Sequence, residues 1–485
     1  MALAGPAGPR RLVREHAAFT IVLAAGLIVR LAIAIGYPRA FRFADSVYYL
    51  HYADPLEPGT ARVSGYSILL RPLLELQGLD LIAAVQQVVG LALGIGVYAL
   101  ARRCGVPKCW AALAAVPVLL DPLQTVLEKY VLADVWAEAL IVAAVLLLGW
   151  RAAMGEPRPE PRRDWLVPAA AGLLLGVATV VRSPAAPMVV IAVGYVLLTG
   201  TAWRRRAGRS VLLAVAFALP VLAYMSWMQA ERGPFALTES ASGHFLYGRV
   251  AQFADCTRFD PGADLRALCP SGPSPARQNF LMWNAASPQW AVPRERHLAG
   301  AESNELARRF AIAAIRARPL AYAGTVGRDF IANFGVTCCT GPEHVSTKWL
   351  RVRRHQPAQY PSGEINRYGG PSIPRPGFAT PMWAYAKVYV PGAVFGIALL
   401  IGLVAGLGAT RRARRSGLRS VCLLLCAAAL TTLLMPALFA TYDVRYSVVL
   451  LPLAPLAGVL GLRALRGPAV GPAAGNGHTG RTGQD

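Results

Sequence analysis

Apolar residues along this chain gather into long runs divided by short polar or basic stretches. Ten runs stand out, at 17–36, 80–101, 109–127, 131–150, 165–181, 184–202, 210–228, 386–409, 418–440 and 446–463. A helix needs about 20 apolar residues to cross the hydrocarbon core of a bilayer. The pattern therefore predicts an all-α polytopic membrane protein with about ten transmembrane helices. One long interval, 229–385, interrupts the series between the seventh and eighth runs and predicts a large extracytoplasmic loop domain. Within it, 255–300 and 351–381 are rich in loop-forming residues. The stretch from Ala301 to Phe334 is helical in pattern, with Leu306, Phe310, Ala313 and Ile315, then Pro319, then Tyr322, Val326, Phe330 and Phe334 at steps of four. Two amphipathic helices broken at Pro319 would suit a membrane surface, with Arg308, Arg309, Arg316 and Arg328 on the wet side. The expected organisation is an N-terminal transmembrane bundle over 1–228, the loop domain over 229–385, C-terminal transmembrane helices over 386–465, and a disordered cytoplasmic tail over 466–485.

Composition agrees with a bilayer as solvent: 55% of the 485 residues are hydrophobic and only 15% charged. The net charge of +23 would fit a nucleic-acid binder only if it covered a hydrophilic surface, and here it lies between apolar runs. No nucleic-acid partner is expected. With the N-terminus in the cytoplasm, cytoplasmic loops and tail hold 22 Lys and Arg, and the short outer loops hold seven: Arg39, Arg42, Arg62, Arg71, Lys129, Arg182 and Arg445. Basic residues collect on cytoplasmic loops, so this split supports both the span count and the direction. It predicts a multi-pass cell-membrane protein with both termini cytoplasmic and 229–385 outside. The split depends on reading 165–181 and 184–202 as two spans divided by Arg182-Ser183-Pro184. The first run follows Arg10, Arg11 and Arg14 without a small-residue cleavage site and reads as a retained helix.

The outer interval also holds Cys256, Cys269, Cys338 and Cys339. An oxidising compartment favours disulfides there, and Cys256–Cys269 is the simplest pairing, with four free thiols as the alternative.

Ionisable residues are costly near a membrane and mark either function or an internal pair. They gather at the outer ends of the spans. The first outer loop carries Asp45 among aromatics that include Tyr48, followed by Gly65-Tyr66. The second carries Lys129, Asp134 and Glu138. Arg182 ends the fifth span, and Asp443-Val444-Arg445-Tyr446 opens the last. Each has a plainer reading as well. Asp45 could cap a helix, Asp134 or Glu138 could offset Lys129 or an arginine, Arg182 could anchor a turn, and Arg445 could pair with Asp443 alone. Arg30, mid-span in the first run, reads as an internal pair or a snorkelling side chain, and Asp121, before Pro122, as a cap. The seven histidines lack ligand spacing, and Walker A, G-x-S-x-G and dinucleotide-binding fingerprints are absent.

These residues resemble the GT-C superfamily of polyprenyl-phosphate-sugar-dependent glycosyltransferases, in its protein O-mannosyltransferase and aminoarabinose transferase branch. The likeness lies in the acidic Asp45 loop, its aromatics and Gly65-Tyr66, the Val131-to-Glu138 stretch and the Gly176-to-Pro184 small-residue helix ending in Arg182. It continues in Arg445-Tyr446 before Pro452 and in the Ile315-to-Tyr322 amphipathic segment. The resemblance implies Asp45, Asp134 and Glu138 as catalytic residues, and Lys129, Arg182, Arg445, Tyr48 and Tyr66 as substrate-binding ones. It implies a polyprenyl-phosphate-linked sugar donor, a glycan, lipid or protein acceptor, and membrane lipid as partners. No cofactor is implied. The family often pairs two acids in the first loop, whereas Ser46 follows Asp45, which leaves a divalent metal without support.

A lipid or sugar-lipid transporter stays open as the alternative, although no repeat is visible and the charges sit at one face, unlike the midplane sites of transporters. A non-catalytic subunit of an envelope-synthesis complex is a third reading.

Overall fold

Each of the ten apolar runs is helical at its centre in the computed structural model, which describes residues 14–152, 165–199, 202–239, 242–270, 281–282, 284–335 and 372–466. The first half of the chain contributes α1 (Ala17–Gly36), α2 (Ala44–His51), α3 (Gly65–Gln77), α4 (Leu79–Arg103), α5 (Lys108–Leu120), α6 (Pro122–Leu127), α7 (Asp134–Ala152), α8 (Leu166–Val181), α9 (Met188–Leu198) and α10 (Trp203–Arg232). The long interval contributes α11 (Ser242–Val250), α12 (Pro288–Glu295), α13 (Gly300–Ala317), α14 (Pro319–Ala332) and α15 (Ala379–Tyr385). The chain closes with α16 (Gly392–Gly406), α17 (Arg411–Arg415), α18 (Arg419–Phe439) and α19 (Leu450–Arg466). Among the described residues there is no strand beyond isolated bridges.

Among the described residues, five segments are long and apolar enough to cross a membrane on their own: Ala17–Gly36, Leu79–Arg103, Trp203–Arg232, Arg419–Phe439 and Val444–Arg466. Others are shorter because local chemistry interrupts them. The run 109–127 breaks at Asp121, whose carboxylate accepts from the Leu123 amide at 2.8 Å while Pro122 takes the first turn of α6. Asp121 is therefore the cap its position implied. The sixth run opens as a 3-10 turn, Ser183–Ala185, and the last as Val444–Val449. Two helices of the first outer loop, α2 and α3, lie outside the predicted runs because their apolar residues are too few for a span.

Small residues set the closest helix packing. Gly172 and Gly176 lie one turn apart on α8, and a Cβ on either would strike a carbonyl of α10, Leu213 O or Phe217 O. Close backbone approach at small residues is the usual way for apolar helices to associate in lipid.

The buried cation of α1 has a full set of partners. Arg30 donates through Nε and Nη2 to the two carboxylate oxygens of Glu128, at 2.7 and 2.6 Å, and through Nη1 to Leu119 O at 2.7 Å. Of the two readings of Arg30, the internal pair is the one present, and it ties α1 to α5 and to the loop before α7. Gly90 on α4 leaves room for it, since a Cβ there would collide with Glu128 Oε1.

The interval after α10 builds a second core. Phe310, Ala311 and Ala314 of α13 pack on Tyr247 and Val250 of α11 and on Leu268. This corrects the membrane-surface reading of α13, whose apolar face is covered by its own neighbours, while Arg308, Arg309 and Arg316 are exposed as predicted. Cys256 and Cys269 form a disulfide, and Cys338 and Cys339 lie outside the described residues.

Removing one partner of a buried ion pair leaves an uncompensated charge. Glu128→Leu should therefore cost on the order of 3 kcal/mol in thermal unfolding of the detergent-solubilised protein. Gly90→Val should cost a comparable amount by expelling the same carboxylate. The double variant should lose little more than the worse single, and full additivity would refute the shared mechanism.

Candidate functional site

The two loops that carry the candidate acids are joined by backbone. Phe41 donates to Lys129 O at 2.8 Å and Val131 donates to Phe41 O at 2.9 Å, a one-residue parallel bridge between segments far apart in sequence. Ser46 extends the junction. Its hydroxyl accepts from the Phe43 amide at 2.9 Å, starting α2, and donates to Val131 O at 2.8 Å. Gln86 of α4 steadies the other side by donating to Glu128 O and Tyr130 O at 2.9 and 2.8 Å. Asp45, in the first turn of α2, and Asp134, at the start of α7, are thereby held near each other.

Arginines from two further elements complete the cluster. Arg445 Nη1 donates to Asp45 Oδ2 at 2.8 Å and lies 4.0 Å from Asp134 Oδ2. Arg62 reaches Asp45 Oδ1 at 2.7 Å. Arg182 pairs with Asp134 through Nη1. Asp443 accepts from the Arg445 amide at 3.1 Å and lies 2.9 Å from its Nε, so the carboxylate fixes both backbone and side chain of the arginine. Aromatic faces hold the guanidinium groups from the side. Tyr446 lies 4.8 Å from that of Arg182 and 5.2 Å from that of Arg445, with Phe43 4.8 Å from the latter. Three carboxylates and three guanidinium groups balance in charge, as a largely buried cluster requires.

Burial would raise the Asp45 carboxyl, but Arg62 and Arg445 outweigh it and hold the group below the usual carboxylate range. It is a carboxylate at physiological pH, able to accept a proton and weak as a base.

A pocket opens beside the cluster. Asp134, Glu138, Arg182, Arg445 and Tyr446 line its polar end, while Ala137, Ile141, Pro436, Val448 and Val449 give it apolar walls. Its empty volume is about 420 Å³ including the open mouth. Glu138 is fully buried there. One oxygen accepts from Gln124 at 3.0 Å and the other has no hydrogen-bond partner.

The predicted residues thus divide. Asp45, Asp134, Arg182 and Arg445 come together, and Glu138 lines the pocket with Asp134, Arg182 and Arg445, while Asp45 lies behind Arg445 and does not line it. Arg445 pairs with Asp443, as the plainer reading had it, and with Asp45 as well. Lys129 does not join them. It is buried, its electrostatic partner is Asp80, and burial pulls its amine down to about 8 against the pull of that carboxylate. Tyr66 is wholly buried and donates to Gln86 Oε1 at 2.8 Å, so it braces the loop scaffold. Tyr48 is exposed, with the Arg62 guanidinium 5.9 Å from its ring. In the sequence, Arg62 reads only as one more basic residue of a short outer loop. Its one available signal is its place in the loop that carries Asp45. Among the described residues, no group of three or more His, Cys, Asp or Glu side chains is set to hold a metal.

The family model described as dolichyl-phosphate-mannose-protein mannosyltransferase matches residues 81–242, a stretch that includes Lys129, Asp134, Glu138 and Arg182. The family resemblance drawn from the sequence is borne out there. No curated protein matches the chain. Among solved structures, the chain is similar to the oligosaccharyltransferase AglB of Archaeoglobus fulgidus in complex with an inhibitory peptide and a dolichol-phosphate. The identity is 14%, with 92% of this chain and 50% of that one covered, at a TM-score of 0.44. It is also similar to ArnT of Cupriavidus metallidurans bound to undecaprenyl phosphate, at 14% identity, with 92% of this chain and 77% of that one covered and a TM-score of 0.36. The chain spans about half the length of the archaeal oligosaccharyltransferase.

The Asp45 ion pairs predict a pH window. The carboxyl is lowered in the folded protein relative to about 3.9 when unfolded. Its contribution to stability is therefore fully present above that value and lost as pH falls through the folded one. Asp45→Asn should be less stable than wild type by a constant amount above about pH 5. That gap should close on further acidification, read as thermal unfolding in detergent. A gap that persists unchanged in acid would show that the pairs do not stabilise the ionised form.

Proposed function

We propose that the protein is a membrane glycosyltransferase that moves a sugar from a polyprenyl-phosphate donor to an extracytoplasmic acceptor hydroxyl. The observation that carries this reading is the union, in one pocket, of an arginine-and-carboxylate end with apolar walls. A lipid phosphate has both parts, a charged head and a hydrocarbon tail. The family match over 81–242 supports the same class of chemistry. The donor is already activated by its phosphate, which agrees with a sequence lacking nucleotide-binding motifs.

Arg182 and Arg445 would receive the phosphate. Arginine offers five donors in a planar fork, and the Arg182 ion pair uses one nitrogen. Tyr446, facing both guanidinium groups, keeps them side by side. Asp45 would take the proton of the acceptor hydroxyl as its oxygen bonds to the sugar C1 and the C1–O bond to phosphate breaks. The leaving phosphate keeps the electron pair of that bond and its charge meets the arginines. One displacement inverts the anomeric centre. A weak base suffices because the leaving group is a good one, and proton transfer then comes late in the step. Asp134 holds Arg182, and Glu138 lines the pocket with one oxygen bound by Gln124 and the other buried without a hydrogen-bond partner.

Purified protein should convert radiolabelled polyprenyl-phosphate sugar and membrane extract into a labelled product. Asp45→Asn should abolish transfer, at a loss on the order of 100-fold or more. Arg182→Met and Arg445→Met should each lose a few kcal/mol of transition-state stabilisation, again on the order of 100-fold. Lys129→Met should leave most transfer intact, since Lys129 does not line the pocket. Substantial activity in Asp45→Asn would sink the assignment of the base, and movement of labelled lipid across vesicles without product would point to transport instead.

A further inference from the structure

Arg445 sits on a short segment, Leu438 to Ser447, that runs from the last turn of α18 into the 3-10 turn Val444–Val449. Three residues on one face of α14 or at its end grip that segment. The Tyr322 hydroxyl donates to Leu438 O at 2.9 Å, a carbonyl left open at the end of α18. Asp329 Oδ2 accepts from the Tyr442 amide at 3.1 Å. Asn333 donates to Asp329 O and Phe330 O at 3.1 and 3.0 Å, which orients its own carbonyl oxygen toward Ser447, whose hydroxyl donates to it at 2.8 Å. The contacts at 442 and 447 bracket Arg445. Asp329 is fixed in turn by Arg249 of α11, a fully buried guanidinium whose Nη1 pairs with the same Oδ2.

α11 also touches the other arginine on Asp45. The Phe245 ring lies 6.0 Å from the Arg62 guanidinium. The domain formed by the long interval therefore meets both cations that hold the Asp45 carboxylate, and the Arg249–Asp329 pair joins the two contacts.

We propose that Asp329 and Asn333 are positioning residues that set Arg445 on Asp45, with Arg249 locking Asp329 in place. None of the three touches the pocket. Their effect passes through the backbone at 442–447. The proposal rests on the transfer reading only for its activity arm. The geometric arm compares each variant with the same variant carrying Asp45→Asn in addition. The pH at which the stability gap within such a pair closes reports the Arg445–Asp45 contact without any reaction.

The groups facing Asp45 are Arg62, Arg445, Arg182, Tyr49, Asp134 and Asp443. Losing Arg445 from that set should raise the folded value and move the closing of the gap up by about one pH unit. Asp329→Ala and Asn333→Ala should each show this shift, with transfer reduced on the order of 100-fold for the former. Asn333→Ala leaves no buried charge unpaired and serves if Asp329→Ala does not fold. The pair Arg249→Met with Asp329→Asn removes both buried charges and the lock but keeps an acceptor for the Tyr442 amide, so it should shift the window less than Asp329→Ala does. Loss of transfer with an unmoved window, or a double variant shifted as far as Asp329→Ala, overturns the proposal. A shifted window in a protein whose wild type transfers no sugar leaves the positioning role standing and overturns the transferase reading instead.

Discussion

A charge taken out of water must find an opposite charge, and that constraint organises both ends of this structure. Arg30 finds Glu128 deep in the bundle, and the space for that pair is kept by a glycine on a third helix. In the cluster beside the pocket, Asp45, Asp134 and Asp443 find Arg62, Arg182 and Arg445. The first is a closed staple with its guanidinium donors directed at protein oxygens. The second borders a pocket, and that openness separates a candidate site from a structural pair.

Bringing Asp45 and Asp134 together takes more than attraction, since like charges repel. The work is done by uncharged groups: the Phe41–Val131 bridge, the Ser46 hydroxyl and the Gln86 amide, each a directional hydrogen bond in a water-poor setting. The arginines then neutralise what that scaffold has juxtaposed. The interval between α10 and α16 adds a second layer of control. Its own core is independent of the bundle, yet Tyr322, Asp329 and Asn333 bind the segment bearing Arg445.

Much of this is readable from the chain alone. Runs of apolar residues are a local property, and helix formation in an apolar solvent follows from them because backbone groups have no other partners. The internal pairing of Arg30, the cap at Asp121 and the Cys256–Cys269 bond are legible for the same reason, each being a strong chemical demand with few ways to be met. The amphipathic pattern of α13 is legible as a helix, but not as to what covers it. An apolar face looks identical in sequence whether lipid or protein lies against it.

What the sequence determined by itself is therefore the helical architecture, the family resemblance and the set of ionisable residues worth examining. Tertiary structure alone decided which of them meet. Arg445 reaches Asp45 across 400 residues of chain, whereas Lys129, five residues from Asp134, is buried away from the pocket lining. Tyr66 is buried against Gln86, and Arg62, unremarkable in sequence, grips the central carboxylate. The physical reason is that burial and charge pairing depend on distance in space, and chain separation carries almost no information about that distance once helices cross and loops return.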